Sequence, residues 1–449
     1  MTDLKTRIRE LIDEHQWQKL RDEALWEKWP IPDIADALLD LNKKNRVLAF
    51  RLIPREMSAE VFAYLEKEDR NALLKDLTDE ETRRLLADLQ PDDRTTLFEE
   101  LPGQVTQRLL NLLSPEDLRE ARFLLGYPEY SVGRLMTPNY VAVRPEWTVA
   151  QALEHCRVKG KNSENLHIIY VVDANWKLLD AVELPRFIMA EPTQKVEEIM
   201  TNSFVVSLSA FDHQEEAVKM FEKYDLYSLP VLDSGGVLLG LVTFDDVFDV
   251  AQEETTEDIY KSAAVNPLTT SYREASIWEL YSKRVGWLIV LVFVSLLSAG
   301  VLSFFEETLQ KVIALSIFIP LLLGSGGNAG AQSATLMVRA LATGDLQLSN
   351  WLSTAVKEMV VGLSLGATLG VLSSVFGFVQ GGLEIGLIVG LTTVGIILLA
   401  SLVGMILPFV LTRLELDPAV ASSPLITSIT DFLGLLLYFL IAGLILGFL

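Results

Sequence analysis

The alternation of hydrophobic and polar positions divides the chain into two parts of different character. Residues 1–130 carry leucines at helical spacing, whereas the sequence after residue 284 consists mainly of long apolar runs. A run of roughly 20 apolar residues can cross a bilayer as a helix. Five runs reach that length, at about 285–305, 312–338, 355–379, 385–411 and 421–448. The pattern therefore predicts a soluble part followed by an all-α transmembrane domain with five helices.

A leucine repeat marks the second half of the N-terminal region. The repeated positions are 12 residues apart: Leu65, Leu77, Leu89, Leu101 and Leu113. Turn or capping clusters such as LTDEE, LQPDD and LSPED follow most of them, and their Ser, Asp and Pro residues are typical of helix starts. Short helices at a fixed period predict an α-solenoid, and a generic helical bundle is the alternative.

Two similar units follow within residues 132–252. Met136-Thr137-Pro138 is matched by Met200-Thr201-Asn202, and the run YVVD at 170–173 is matched by PVLD at 230–233. Each unit has the pattern strand, helix, strand, hairpin turn, strand, helix. This arrangement resembles a tandem CBS pair, an α/β regulatory module whose clefts often hold adenine nucleotides.

The CBS resemblance implies candidate nucleotide-binding residues. Thr243 and Asp246, in the segment GLVTFDD, match the positions that hold a ribose, and Tyr170 is placed to stack on adenine. The first copy departs from the pattern, because Asp180 and Glu183 replace the usual glycine and hydroxyl residue. Leu226 also stands where an aromatic residue would help. Whether ATP binds the pair stays open at this point.

Charge separates the two halves further. The 449-residue chain has a formal net charge of −22, and residues 284–449 contribute −3 of it, which leaves −19 on residues 1–283. Such an acidic half argues against binding to nucleic acid, since phosphate recognition needs clustered Lys and Arg. The single cysteine, Cys156, excludes an internal disulfide framework. The charged start of the chain is unlike a signal peptide, so we expect a cytosolic N-terminus.

Basic residues at the ends of the apolar runs predict the orientation in the membrane. Five of them fall on one side, namely Lys283, Arg284, Arg339, Lys357 and Arg413, and only Lys311 falls on the other. Because the positive side is normally cytoplasmic, we expect the N-terminus inside and the C-terminus outside. The predicted location is the bacterial inner (plasma) membrane, in contact with its lipid.

The membrane half contains two polar features. Asp431 is the one carboxylate inside the last apolar run, and an unpaired carboxylate in lipid is costly, so we expect it to face a polar cavity or an ion. The alternative is an Asp that caps a helix. A glycine cluster in the second run permits either close helix approach or an unwound turn whose amides face an ion. The candidate pore residues of this cluster are Gly326, Gly327, Asn328, Gly330 and Gln332.

Acidic residues of the soluble half form a third feature. Hard divalent cations such as Mg²⁺ prefer oxygen ligands, and acidic faces repel one another unless cations screen them. The alternative is a solvated acidic surface. The candidate cation-sensing residues are Asp92, Asp93, Asp212, Glu215, Glu216, Asp225, Asp245, Asp246, Asp249, Glu254, Glu257 and Asp258.

Across its whole length the chain resembles the MgtE family of magnesium channels and transporters. The most specific matching segments are 326–345, 416–436 and 245–259. The resemblance implies a homodimer with a pore on its two-fold axis, hydrated Mg²⁺ at Asp431, and closure when cytosolic Mg²⁺ fills acidic sites. It also implies that Asp417 meets the connecting "plug" helix. Some members of the family bind ATP in the CBS pair.

The expected organisation is a helical N domain (1–130), two CBS domains (131–195 and 196–252), a long connecting helix (253–283) and the membrane domain (284–449). Enzyme alternatives lack support, because the chain has no HExxH zinc motif and no P-loop. A membrane-anchored nucleotide sensor and a carrier for another divalent cation remain as rivals. The scarcity of His and Cys favours magnesium over transition metals.

Overall fold

The computed structural model describes residues 2–65, 67–161, 163–268, 272 and 275–447. The chain folds as two compact units, Met1–Gln252 and Glu253–Leu449. The first unit contains the N-terminal helices and two small sheets. The second contains the apolar helices.

The described residues of the N-terminal region form short helices joined by turns. Its helices are Thr2–Asp13, Trp17–Leu20, Glu23–Trp26, Ile31–Leu39, Lys43–Phe50, Arg55–Ala63, Lys67–Asp76, Asp79–Asp88, Pro91–Glu100, Gly103–Leu110, Pro115–Leu124 and Val132–Leu135. From Lys67 onward each 12-residue leucine repeat corresponds to one helix. Leu65, Leu77 and Leu89 are buried at the helix junctions, which explains why the period is kept.

Capping residues start these helices where the sequence places them. Thr78 forms a capping box with Glu81, and the Ser114 side chain accepts a hydrogen bond from the backbone N–H of Asp117. Pro91 occupies the first turn of its helix, where a missing N–H leaves no bond unmade. The predicted helix starts are therefore confirmed at these positions.

Two three-stranded sheets with the same topology form the rest of this unit. In copy one (CBS 1), the strands are Ala142–Val143, Ile168–Val172 and Leu178–Glu183; in copy two (CBS 2), they are Leu208–Ser209, Ser228–Leu232 and Leu238–Thr243. In each sheet the first strand runs parallel to the second, and the third runs antiparallel to it. The accompanying helices are Val149–Lys159, Leu184–Met189, Val196–Ile199 and Gln214–Tyr224.

The helix that leaves copy two differs from the predicted connecting helix. It runs over Phe244–Ser262, so it begins nine residues before the expected start at 253 and ends well before 283. Ala264 has a left-handed φ of 57°, and Pro267 follows, and both oppose continuation of a helix. A new helix begins at Ile277 with Ser276 as its cap. The expectation of one long helix over 253–283 is therefore wrong.

Four helices in the described part of the second unit are long and apolar enough to cross a membrane. They are Ile277–Phe304, Ala314–Ala342, the segment Leu348–Arg413 and Ser423–Leu446. A short helix, Glu306–Lys311, joins the first two. The 3₁₀ turn Leu348–Asn350 begins the third segment, whose α-helix starts at Trp351, and the 3₁₀ turn Pro418–Val420 precedes the fourth.

The third of these segments consists of two helical halves that meet at Gly382. That residue has φ 80° and ψ −169°, which lies outside the helical region. The halves lie side by side, because a Cβ at Gly377 would approach the Cα of Gly386 to 2.9 Å. The Ser373 and Thr393 hydroxyls also meet at 2.8 Å across the two halves. The segment is therefore a helical hairpin closed by small residues.

Candidate functional site

Three carboxylates from distant parts of the sequence meet in the first unit. Ligand oxygens of Asp92, Glu164 and Asp246 all lie within 4.8 Å of one another. Asp92 is only 4% exposed, and the other two are half-buried. We call these three residues the carboxylate triad. Like charges this close are costly unless protons or a cation neutralise them.

Local structure places each member of the carboxylate triad. Asp92 lies in the first turn of Pro91–Glu100, and Glu164 lies in the loop before strand Ile168–Val172. Asp246 lies in the first turn of the helix Phe244–Ser262, where the Thr243 hydroxyl donates a 2.5 Å hydrogen bond to its Oδ2. The site thus joins the helical region to both CBS copies within one compact unit.

Burial and mutual repulsion perturb the acids strongly. Burial, followed by the charges of Asp246 and Glu164, raises the pKa of Asp92 well above its usual value. Burial raises the pKa of Glu164 to about 7 and that of Asp246 to about 8, although a hydroxyl hydrogen bond lowers each. Asp93, beside the triad, has its pKa raised by burial to about 6.

This donor set fits a hard divalent cation. Among the described residues, Asp92 Oδ1 and Glu164 Oε2 are buried oxygens without a hydrogen-bond partner. A buried acceptor left unpaired is destabilising, and an ion that accepts several oxygens would satisfy it. Mg²⁺ binds through a few carboxylates and retains water, as three clustered oxygens would allow.

The structure distributes the other predicted acids over several places. Asp93 lies beside the triad, and Asp245 and Asp249 are exposed on the first turns of Phe244–Ser262. A separate group surrounds the helix Gln214–Tyr224: Asp212, Glu215, Glu216 and Asp225. Asp212 accepts a 2.8 Å hydrogen bond from Ser209 N, and Asp225 ends that helix in a left-handed conformation. Glu254, Glu257 and Asp258 lie on the later turns of Phe244–Ser262.

Asp417 in the second unit is paired with a lysine that the sequence did not single out. Lys261 Nζ lies 2.6 Å from Asp417 Oδ2 and 2.6 Å from Glu257 Oε1. Partial burial lowers the pKa of Lys261, but the hydrogen bonds and charges of Asp417 and Glu257 outweigh that effect and raise it. Asp417 therefore meets the helix Phe244–Ser262, which we call the connecting helix from here on, through the ammonium group of Lys261.

The apolar helices place the predicted pore residues as follows. Asp431 lies in Ser423–Leu446, is half-buried, and its Oδ1 has no hydrogen-bond partner among the described residues. Asn328 and Gln332 are exposed one helical turn apart on Ala314–Ala342. In this single chain, part of the polar surface of that helix is uncovered.

The glycines of the second apolar helix serve close packing. A Cβ at Gly327 would come within 2.8 Å of Thr427, and one at Gly330 within 2.8 Å of Ile426, both on the last apolar helix. A Cβ at Gly326 would clash with Ile396. The helix Ala314–Ala342 is unbroken here, so of the two alternatives the close approach applies and the unwound turn does not.

The nucleotide candidates lie in different surroundings. Tyr170 is fully buried, and its ring meets Tyr140 edge-on at 6.2 Å, so no face of the ring is open to an adenine in this conformation. Thr243 is buried and its hydroxyl is bonded to Asp246. In this structure Asp246 and the Thr243 hydroxyl are therefore engaged with each other and with the carboxylate triad.

Sequence reasoning missed two residues of these sites. Glu164 is a lone acid in a polar loop, and nothing in its local pattern distinguishes it. Lys261 did carry a signal, because it is a single base in the last turn of an otherwise acidic helix.

Family models match most of the chain. The model described as the MgtE intracellular N domain matches residues 29–130, and the CBS domain model matches 132–184 and 196–253. The model MgtE, described as a divalent cation transporter, matches 319–441. A protein named magnesium transporter MgtE from Thermus thermophilus is 39% identical over 442 residues, 98% of this chain and 95% of the relative. The chain belongs to the MgtE family.

Further comparisons agree with membership of the MgtE family. The magnesium transporter MgtE of Bacillus subtilis is 32% identical over 325 residues, which cover 72% of this chain and 71% of that one. A crystal structure of the cytosolic domain of the Mg²⁺ channel MgtE in complex with ATP is 33% identical, with a TM-score of 0.52, and covers 55% of this chain and 99% of that one. A crystal structure of the soluble part of a magnesium transporter is 25% identical, with a TM-score of 0.53, and covers 57% of this chain and 99% of that one. The predicted resemblance is confirmed.

Proposed function

We propose that this protein is a Mg²⁺-selective channel or transporter for magnesium uptake, and that Mg²⁺ bound to its acidic cytosolic domains closes it. The observation that carries the proposal is Asp431, an unpartnered carboxylate oxygen inside an apolar helix of the described chain. The relatives named as magnesium transporters support the choice of ion.

The helical hairpin at Gly382 supports the proposed membrane topology. Because its two halves lie side by side, each forms a crossing of its own, and the four apolar segments give five crossings. An odd number, with the basic residues on one side, supports an N-terminus in the cytoplasm and a C-terminus outside in a bacterial inner membrane. The helices at the 12-residue period before the CBS pair form the solenoid-like N domain.

The pore lies between two copies of the chain. One carboxylate is a weak host for a divalent ion, whereas a two-fold axis brings two Asp431 side chains together. Asn328 and Gln332, exposed in one chain, would face this axis, and Gly326, Gly327 and Gly330 would set how closely the helices approach. Because Mg²⁺ loses water reluctantly, the pore accommodates a hydrated ion.

Regulation is assigned to the carboxylate triad and the other acids of the cytosolic region. When Mg²⁺ is scarce, the −19 charge of residues 1–283 favours separation of the acidic parts. Millimolar Mg²⁺ neutralises the triad and holds the helical region against the CBS pair. The family resemblance suggests that the acids around Gln214–Tyr224, the later acids of Phe244–Ser262 and Asp417 complete the sensor.

ATP is proposed as a second ligand of the CBS pair. The support is the solved relative in complex with ATP. Thr243 and Asp246 are the candidates for the ribose. Tyr170 would contribute to such a site only if its ring left the core that buries it.

The test of transport is Mg²⁺ uptake by a bacterial strain that lacks its own Mg²⁺ uptake systems, with Mn²⁺, Co²⁺ and Ca²⁺ as competitors. Asp431→Asn keeps the shape of the side chain and removes its charge, so uptake should fall at least about tenfold. Asp431→Glu should keep part of the activity. Glu384→Gln, an exposed carboxylate outside the proposed pore, is the matched control. Native uptake by correctly inserted Asp431→Asn would refute the pore mechanism.

A further inference from the structure

The last turn of the connecting helix carries a positively charged side chain, Lys261. Lys261 Nζ contacts Glu257 Oε1 and Asp417 Oδ2, each at 2.6 Å. The Lys261 side chain is 27% exposed, so the contact is partly shielded from water and salt. Two carboxylates that share one positive group also provide the oxygen ligands that a hard divalent cation prefers.

Asp417 connects this ion pair to the last apolar helix. Its Oδ1 accepts a 2.8 Å hydrogen bond from Ala419 N and so caps the turn Pro418–Val420. The helix Ser423–Leu446, which carries Asp431, begins directly after that turn. One carboxylate group thus binds the lysine with one oxygen and orders the entry to the last helix with the other.

The segment after the connecting helix is fixed as well. Asn266 N donates to Lys283 O at 3.0 Å, and Trp287 Nε1 donates to Asn266 Oδ1 at 3.2 Å. These bonds hold the chain just beyond Ser262 against the first apolar helix. The end of the helix Phe244–Ser262 is therefore held by the Lys261–Asp417 ion pair and, a few residues later, by the hydrogen bonds of Asn266. A change at Lys261 removes the first of these contacts.

We propose that Lys261 is a built-in cation that occupies the Glu257–Asp417 carboxylate pair when Mg²⁺ is scarce, keeps the connecting helix attached to the entry of the last apolar helix, and competes with Mg²⁺ for the same oxygens. The proposal rests on the proposed Mg²⁺ regulation and adds a closing contact that needs no metal. It makes the closed arrangement partly independent of Mg²⁺ and reduces the Mg²⁺ affinity of this carboxylate pair.

The test compares Lys261→Gln with Lys261→Arg and Asp417→Asn in the full-length protein in lipid nanodiscs. Asp417→Asn keeps an oxygen for the cap but loses the charge, and Lys357→Gln controls for loss of a positive charge elsewhere in the second unit. Hydrogen–deuterium exchange of peptides 253–262 and 414–422 is measured in EDTA and in millimolar Mg²⁺. Mg²⁺ flux is measured in proteoliposomes at low cytosolic-side Mg²⁺.

In EDTA, Lys261→Gln and Asp417→Asn should each raise exchange of both peptides, whereas Lys261→Arg and Lys357→Gln should not. Millimolar Mg²⁺ should restore protection in Lys261→Gln, because Glu257 and Asp417 remain to bind the ion, but should not fully restore it in Asp417→Asn. Flux of Lys261→Gln at low Mg²⁺ should rise about two- to fivefold, as expected for a partly exposed ion pair.

The double variant Lys261→Gln/Asp417→Asn shows whether the two substitutions act through the same ion pair or independently of each other. The exchange of Lys261→Gln/Asp417→Asn in EDTA should equal that of either single variant; additive increases would overturn the proposal, as would native exchange in Lys261→Gln. Exchange does not depend on transport. If the exchange pattern appears while no variant, including the native protein, transports Mg²⁺, the proposed function fails and the built-in cation stands.

Discussion

The two CBS copies share a topology but differ in chemistry. Positions 60 residues apart are equivalent, because Val171 pairs with Asp180 in one sheet as Val231 pairs with Gly240 in the other. By the same relation Arg186 of copy one corresponds to Asp246 of copy two. The acid that completes the carboxylate triad is therefore replaced by a base in the other copy.

The third strand of each sheet contacts the segment that begins the other copy, and the two contacts are made in different ways. In copy two, the backbone of Thr137 pairs with Leu241, and a Cβ at Gly240 would lie 2.7 Å from Thr137 O. In copy one, fully buried Asp180 accepts hydrogen bonds from Thr201 N at 2.5 Å and from Asn202 N at 3.1 Å. A side chain thus replaces a backbone pairing.

The helices that follow the sheets differ as well. Copy one ends in the six-residue helix Leu184–Met189, whereas copy two continues into Phe244–Ser262. Both copies contribute to the carboxylate triad, copy one through the loop residue Glu164 and copy two through Asp246. The comparison indicates that copy one closes its sheet with a buried side chain, whereas copy two places an acid after its last strand and continues into the second unit. The following predictions test that difference, from the largest expected effect to the smallest.

Replacing the buried carboxylate of copy one should affect folding. Asp180→Ala leaves the N–H groups of Thr201 and Asn202 without their acceptor, so we expect a loss of about 3 kcal/mol in the free energy of unfolding. Thermal unfolding of the purified full-length protein measures it. An unchanged midpoint would show that the side-chain bonds of copy one do not replace the backbone pairing of copy two.

Removing the carboxylate of Asp246 in copy two should weaken Mg²⁺ binding and leave the fold intact. Asp246→Asn takes one of three carboxylates from the triad, so Mg²⁺ affinity should fall about tenfold or more. Calorimetric titration of the full-length protein with Mg²⁺ measures the change in affinity. Arg186→Gln, at the equivalent position of copy one, is the matched control and should bind Mg²⁺ normally; equal losses in both variants would contradict this difference between the copies.

The triad should make Mg²⁺ binding depend on pH. Because the pKa is about 7 for Glu164 and about 8 for Asp246, both are largely protonated at pH 6, and Mg²⁺ must displace those protons. We expect the affinity to fall roughly tenfold between pH 8 and pH 6. Asp246→Asn should reduce this dependence, and a native-like pH dependence in that variant would assign it to other groups.

The same shifts set the sign of the stability change without metal. The raised pKa values mean that the folded protein holds more protons than the unfolded chain, so this contribution is complete below about pH 4 and is lost as pH rises towards 8. Added Mg²⁺ should restore the lost stability at pH 8 more than at pH 6, as thermal unfolding at the two values will show.

The hydroxyl beside the triad should have the smallest effect. Thr243 donates to Asp246 and lowers the pKa of that carboxyl against the larger effect of burial. Thr243→Val keeps the shape but removes the donor, so Mg²⁺ affinity at pH 7 should fall about two- to threefold. Thr243→Ser should bind like the native protein; if it behaves like the valine variant, the hydroxyl is not the cause.

The sequence by itself determined what depends on local pattern. The leucine period predicted one short helix per repeat, because the repeated leucines are buried or partly buried at the helix junctions. The matched motifs of the two units in 132–252 predicted both sheets, and apolar length predicted the long apolar helices, including the two halves that meet at Gly382. Asp431 stood out because a carboxylate in an apolar run is conspicuous without any knowledge of its neighbours.

Tertiary structure decided what depends on distance. Asp92, Glu164 and Asp246 are far apart in the chain, and only packing of the helical region against the CBS pair brings their oxygens within 4.8 Å. Burial of Tyr170 between the sheets and the ion pair of Lys261 with Asp417 likewise join residues from separate segments. Local periodicity reports which face of an element is apolar, but it carries no information about which charged side chain of another element lies opposite.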